Sequence, residues 1–202
     1  MSEILKDYFY TGISFSSFFI DEGVFLCLKI EKSKNPLIKL SYVLKLRKYL
    51  KSNSETDKCL IGNEKYLVYQ NIKSLNNASV LFSTNKEHKK LYKKLKNDKR
   101  ALVCESFDLD DLTKESLDEP ILLVVKNEES KVKYQELIKS CKEVNIIYLD
   151  KIKEETNREI MFDAIKVKLL QYDTNICFIE EGMYANYIAN FIFTLNKIAI
   201  IY

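Results

Sequence analysis

Four short apolar runs in the second half of the chain most constrain its fold. Residues 121–126 (ILLVVK), 145–149 (NIIYL), 175–179 (NICFI) and 197–202 (KIAIIY) are continuous rather than alternating. Between them lie stretches with helical spacing at 128–142, 155–172 and 183–196. A strand that is apolar on both sides must be covered on both sides. Such strands alternating with amphipathic helices predict an α/β fold whose sheets are largely parallel. The first half is less regular. It predicts helices at 23–31, 41–51 and 86–97, an extended segment at 35–40 (NPLIKL), and strands at 78–83 and 100–105. An acidic, turn-prone stretch at 108–120 interrupts the pattern. The expected organisation is therefore two tandem small α/β domains, residues 1–112 and 113–202, each a largely parallel sheet covered by helices.

Glycine sets the next limit. Only Gly12, Gly23, Gly62 and Gly182 occur in 202 residues. Phosphate-binding turns cluster glycines so that backbone N–H groups can approach the ligand. Neither G-x-G-x-x-G nor a P-loop is present, which excludes a self-sufficient dinucleotide or nucleotide site of those kinds. The five cysteines (Cys27, Cys59, Cys104, Cys141 and Cys177) are odd in number and widely spaced, and no C-x-x-C pair occurs. They read as buried reduced thiols of a cytoplasmic protein. With His88 as the only histidine, a zinc site is not expected, and neither is a Ser–His–Asp site. The net charge of +3 does not point to nucleic acid, and the Lys-rich stretch 86–99 reads as a solvated helix face. No run approaches the roughly 18 apolar residues that span a bilayer, and no targeting segment is recognised at the start, so no membrane association is expected.

Three acidic constellations remain as candidates. Asp21-Glu22-Gly23 precedes a predicted helix, 108–111 (DLDD) sits in the expected linker, and Glu180-Glu181-Gly182 follows a predicted strand. The last is the best placed, because ligands of open α/β sheets gather beyond the carboxyl ends of the strands. Each also has a plain structural reading, as a helix cap or a charged turn.

The order of the segments resembles the C-terminal half of the transketolase-like thiamine diphosphate enzymes, closest to 1-deoxy-D-xylulose-5-phosphate synthase. Ile20-Asp21-Glu22 before a helix is similar to that family's G-I-x-E segment. Residues 35–50 resemble its strand and helix with Y-S-x-F-L, 57–62 (DKCLIG) its D-R-A-G-x-x-G, and 175–182 (NICFIEEG) its N-I-V-T-x-E-E-G. The resemblance implies a pyrimidine-binding (Pyr) domain followed by a transketolase C-terminal domain. It implies that Glu22 would protonate the cofactor's aminopyrimidine, with Glu180 or Glu181 near the substrate channel. Several positions depart from the family. Gly23 stands where it has Gln or His, and Phe25, Leu26 and Leu28 replace small residues. Glu105 falls where its arginine would be, and no G-D-G metal motif occurs in these residues. Thiamine diphosphate and Mg²⁺ are therefore expected only with a partner subunit. The reading that follows is a degenerate, non-catalytic scaffold or partner-binding protein, with a homodimer or a subunit bearing the diphosphate domain as its partner. The alternatives are the C-terminal subunit of a split thiamine diphosphate enzyme and an unrelated α/β interaction or regulatory module.

Overall fold

The computed structural model describes residues 11, 13–53, 55–83, 85–96, 102–104, 119–155 and 161–202. The chain opens with strand β1 (Ser17–Phe19), followed by helices α1 (Glu22–Lys32), α2 (Pro36–Ser52), α3 (Glu55–Lys58) and α4 (Glu64–Asn77). Strand β2 (Val80–Phe82), helix α5 (Lys86–Lys96) and strand β3 (Leu102–Cys104) come next. Then follow β4 (Ile121–Val125), α6 (Glu128–Lys131), a 3₁₀ turn (Val132–Tyr134) and α7 (Gln135–Ser140). The chain continues through β5 (Val144–Tyr148), α8 (Leu149–Glu155), α9 (Met161–Leu169), β6 (Ile176–Ile179), α10 (Ala185–Thr194) and β7 (Ile198–Ile201). Every strand pairing is parallel. The sheets have the orders β1-β2-β3 and β5-β4-β6-β7.

The continuous apolar runs behave as two-sided strands. In β4, Leu122 and Val124 belong to one buried cluster, while Ile121, Leu123 and Val125 belong to the other. Helices α1, α2, α4, α5, α9 and α10 contribute to the first cluster, and Tyr134 and Leu137 to the second. Both clusters run across both sheets: Phe18 and Leu81 share one with Leu122, and Val80 and Phe82 share the other with Ile121.

The sheets meet where β1 lies beside β7. One parallel bridge joins Ser16 to Ala199, and the Ala199 N–H donates to the Phe15 carbonyl at 2.9 Å. Further along, side chains replace the ladder. Ser17 Oγ accepts from the Ile201 N–H at 2.6 Å. The Asn186 amide accepts from the Phe19 N–H and donates to the Phe19 carbonyl, each at 2.9 Å. It also donates to Asn71 Oδ1 at 3.1 Å, tying β1, α4 and α10 together. Buried backbone groups must be paired, and here two polar side chains do it.

Three local readings are corrected. Residues 35–40 are not extended: Asn35 caps α2, its Oδ1 accepting from the Leu37 and Ile38 N–H groups, and Pro36 takes the first helical position. Proline lacks only an N–H that would be orphaned there anyway. The helix expected at 128–142 is broken by the 3₁₀ turn into α6 and α7, and the one expected at 155–172 is α9, with residues 156–160 outside the described set. The acidic stretch 108–111 and the expected boundary at 112 also lie outside the described residues.

Replacing Asn186 by Ala leaves the partly buried N–H and C=O of Phe19 without these partners. The expected loss is about 2–4 kcal/mol, read as a lower urea midpoint with an unchanged far-ultraviolet spectrum before the transition.

Candidate functional site

Because the strands are parallel, their carboxyl ends share one edge. Two of the acidic constellations singled out from sequence, about 160 residues apart, converge there. Asp21 follows β1 and caps α1, with Oδ1 accepting from the Val24 N–H at 2.6 Å and Oδ2 from the Tyr49 hydroxyl at 3.1 Å. Burial pushes its carboxyl above the ordinary value, against the lowering effect of those hydrogen bonds. Glu180 follows β6 and is buried. Its Oε2 accepts from the Lys126 N–H at 2.6 Å, and its Oε1 lies 3.7 Å from Lys133 Nζ and 4.0 Å from Lys126 Nζ. It is thus a strut between the ends of β6 and β4. Glu181 is exposed overall, yet partial desolvation of its carboxyl by the surrounding protein, then repulsion from Asp21, raises it. Glu22 points to solvent on the first turn of α1.

Space on this edge is taken by side chains. A Cβ placed on Gly23 would lie 2.3 Å from Met183 Sδ and 2.5 Å from Tyr49 Cε1. The recess bounded by Lys126, Glu180, Gly182 and Tyr184 has a volume of about 10 Å³. A recess of that size holds about one water and does not admit a pyrimidine ring. No cluster of three or more metal-ligating side chains occurs among the described residues.

His88 has a hydroxyl nearby that the sequence reading did not anticipate. Ser83 Oγ lies 3.4 Å from its Nδ1. That oxygen also accepts from the Asn85 N–H at 3.1 Å, at the entrance to α5, and the imidazole packs on Phe25 at 5.2 Å between ring centres. The pair is a turn and packing contact, and burial lowers the imidazole's affinity for a proton. None of the five cysteines forms a disulfide, and burial raises the Cys27 and Cys177 thiols above the ordinary range, which favours their protonated form.

The open concavity lies elsewhere, between α1, α2 and α4. It has a volume of about 480 Å³ and apolar walls that include Ile30, Leu40, Val43, Val68 and Ile72. One ion pair borders it. Arg47 Nε donates to Glu64 Oε1 at 2.6 Å, and the Gly62 N–H donates to the same oxygen at 3.1 Å. Burial alone would lift the Glu64 carboxyl, but the Arg47 guanidinium and the Gly62 N–H hold it below the ordinary value. Gly62 has φ +96°, a conformation open to glycine at little cost, and this aims its N–H at Glu64.

The outer face of α2 beside this groove is also apolar. Leu37, Leu40 and Leu44 recur at i, i+3 and i+7 and are 78%, 55% and 56% exposed, although leucines of a helix this long ordinarily pack inward. Lys45 and Lys48 flank them. Helix α2 carries five basic residues (Lys39, Lys45, Arg47, Lys48 and Lys51) and no acidic one. The sequence reading missed this site. The signal was present in NPLIKLSYVLKL, where leucines follow two faces of one helix, but taking 35–40 as extended concealed it.

Protein-family models, curated proteins and solved structures give no significant match to this chain. The resemblance to transketolase-like enzymes therefore rests on the sequence segments alone.

Two substitutions test these electrostatics. Asp21→Asn keeps the cap and removes a buried charge. Since folding raises the carboxyl above 3.8, the ionised form costs stability above that range. The variant is expected to be the more stable at pH 7, with the gap closing as the pH falls and the parent protonates. Glu64→Gln has the opposite sign. The folded carboxyl lies below 4.5, so its contribution is complete above that value and is lost as the pH falls through the folded value. Urea midpoints are expected to be lower for the variant at pH 7 and to converge with the parent as the pH falls and Glu64 protonates.

Proposed function

We propose that this chain is a non-catalytic scaffold that binds a protein partner through the α1–α2–α4 groove and the outer face of α2. One observation carries the reading: three exposed leucines in register on one helix, beside a groove of about 480 Å³ with apolar walls. Contiguous exposed apolar surface is costly in water and marks contact sites. On this reading the chain is a degenerate relative of the Pyr and C-terminal half of transketolase-like enzymes. It keeps an α/β scaffold and works as an assembly component in the cytoplasm, with a second copy or a diphosphate-domain subunit as the partner classes that the resemblance implies. No helix among the described residues is long and apolar enough to cross a membrane.

A second reading has its own observation. Glu22 is exposed on the carboxyl edge, in the position where the resemblance puts a cofactor-activating acid. As the C-terminal subunit of a split thiamine diphosphate enzyme, the chain would need a partner to supply the cofactor's walls and Mg²⁺. Titration of thiamine diphosphate and Mg²⁺ into the chain with a co-expressed partner tests this, and equal activity of the Glu22→Gln assembly would sink it.

For the scaffold reading, a photo-cross-linking residue in place of Leu40 is expected to give a light-dependent adduct in cells. The same residue in place of the exposed Val167 on α9 is expected to give none. No adduct at position 40 would overturn the reading.

A further inference from the structure

We infer that the outer face of α2 docks an acidic amphipathic helix of a separate protein. This inference rests on the scaffold reading and names the partner's chemistry. The spacing of Leu37, Leu40 and Leu44 is that of two turns of a helix–helix seam, with an apolar residue at each of three successive contact positions. A partner helix placing leucines at i, i+3 and i+7 against them would seal the stripe and reach the Leu40 side of the groove. The positions where the stripe would continue, Arg47 and Lys51, are basic. Lys45 and Lys48 line its flank. The seam is thus short, apolar in its first two turns and cationic at its border and far end.

Charge selects the occupant. A second copy presenting its own α2 would set Lys45, Lys48 and Lys51 against their counterparts, with no acid on either helix to offset them. The basic field also extends beyond α2. Lys32 at the end of α1 is held below the ordinary lysine value mainly by Lys94 of α5, with Lys29 and Lys90 adding to the effect. A helix rich in Glu or Asp beside its leucines matches both the stripe and the lysines that flank it. Geometry disfavours a flat anionic membrane: the basic residues sit among the leucines instead of on an opposite face, and the adjoining groove is concave.

The test uses the full chain and two synthetic helical peptides, both with leucines at i, i+3 and i+7. One is flanked by glutamates and the other by lysines. Fluorescence anisotropy is expected to show the acidic peptide binding and the basic one not binding. Leu40→Glu is expected to weaken the acidic peptide about tenfold or more. Lys45→Glu with Lys48→Glu is expected to weaken it about three- to tenfold and to flatten its salt dependence. Unchanged urea midpoints would establish that these exposed substitutions leave the fold intact. Equal binding of both peptides, indifference to the lysine reversals, or binding to phosphatidylserine vesicles in place of the acidic peptide would each overturn the inference. So would a position-40 adduct consisting of two copies of this chain. In all four cases an adduct in cells leaves the scaffold reading standing, whereas absence of any adduct removes that reading itself.

Discussion

The seam between β1 and β7 holds the fold in register. A three-stranded and a four-stranded sheet each end in a strand with one unpaired edge, and those edges are buried. Among the described residues of this junction, only Ser16 and Ala199 pair as strand residues. The rest of the junction depends on Ser17 Oγ and the Asn186 amide, which satisfy backbone groups that the diverging strands can no longer offer each other. An unpaired buried amide costs far more than a made hydrogen bond returns. These two side chains therefore fix how the sheets sit, and with them the shared apolar clusters and the common carboxyl edge.

Charge is distributed less evenly than a net value of +3 suggests. The carboxyl edge gathers Asp21, Glu22, Glu180 and Glu181, moderated by Lys126 and Lys133. Where α1 meets α5, Lys94, Lys29 and Lys90 raise the cost of protonating Lys32, and α2 carries five basic residues and no acidic one. The acidic edge is largely spent on structure: Asp21 caps, and Glu180 ties β6 to β4. On α2, Leu37, Leu40 and Leu44 are each more than half exposed. This asymmetry between a filled edge and an open helical face is the ground on which contact with a protein is proposed.

Much of the second half was legible in the sequence because its strands are apolar on both sides. Ile121–Val125, Val144–Tyr148, Ile176–Ile179 and Ile198–Ile201 fall where the apolar runs place them. The sequence reading left out β1 and α4, and the reasons are physical. In α4 the buried face includes Gln70, Asn71 and Ser74, which break the apolar period. Asn71 and Ser74 answer for their own burial by donating to the Leu67 and Gln70 carbonyls one turn back. In β1 the buried serines serve the seam, so the run FSSFF carries no plain strand pattern. The convergence of Asp21 and Glu181 depends on which strands are neighbours, which local periodicity does not encode. The groove was hidden by Asn35-Pro36, which reads as a break but in fact starts a helix.

Gly23 ties three positions together. The space a side chain would need there is occupied by Met183, just beyond β6, and Tyr49, on α2. Any later gain of a side chain at 23 meets two neighbours already in place, and shrinking either alone removes only half of the obstruction. The position is therefore a ratchet: single substitutions can leave the present arrangement only through a poorly packed intermediate. An engineer who wants a cavity at the end of β1 would have to begin with Tyr49 and Met183, not with the glycine.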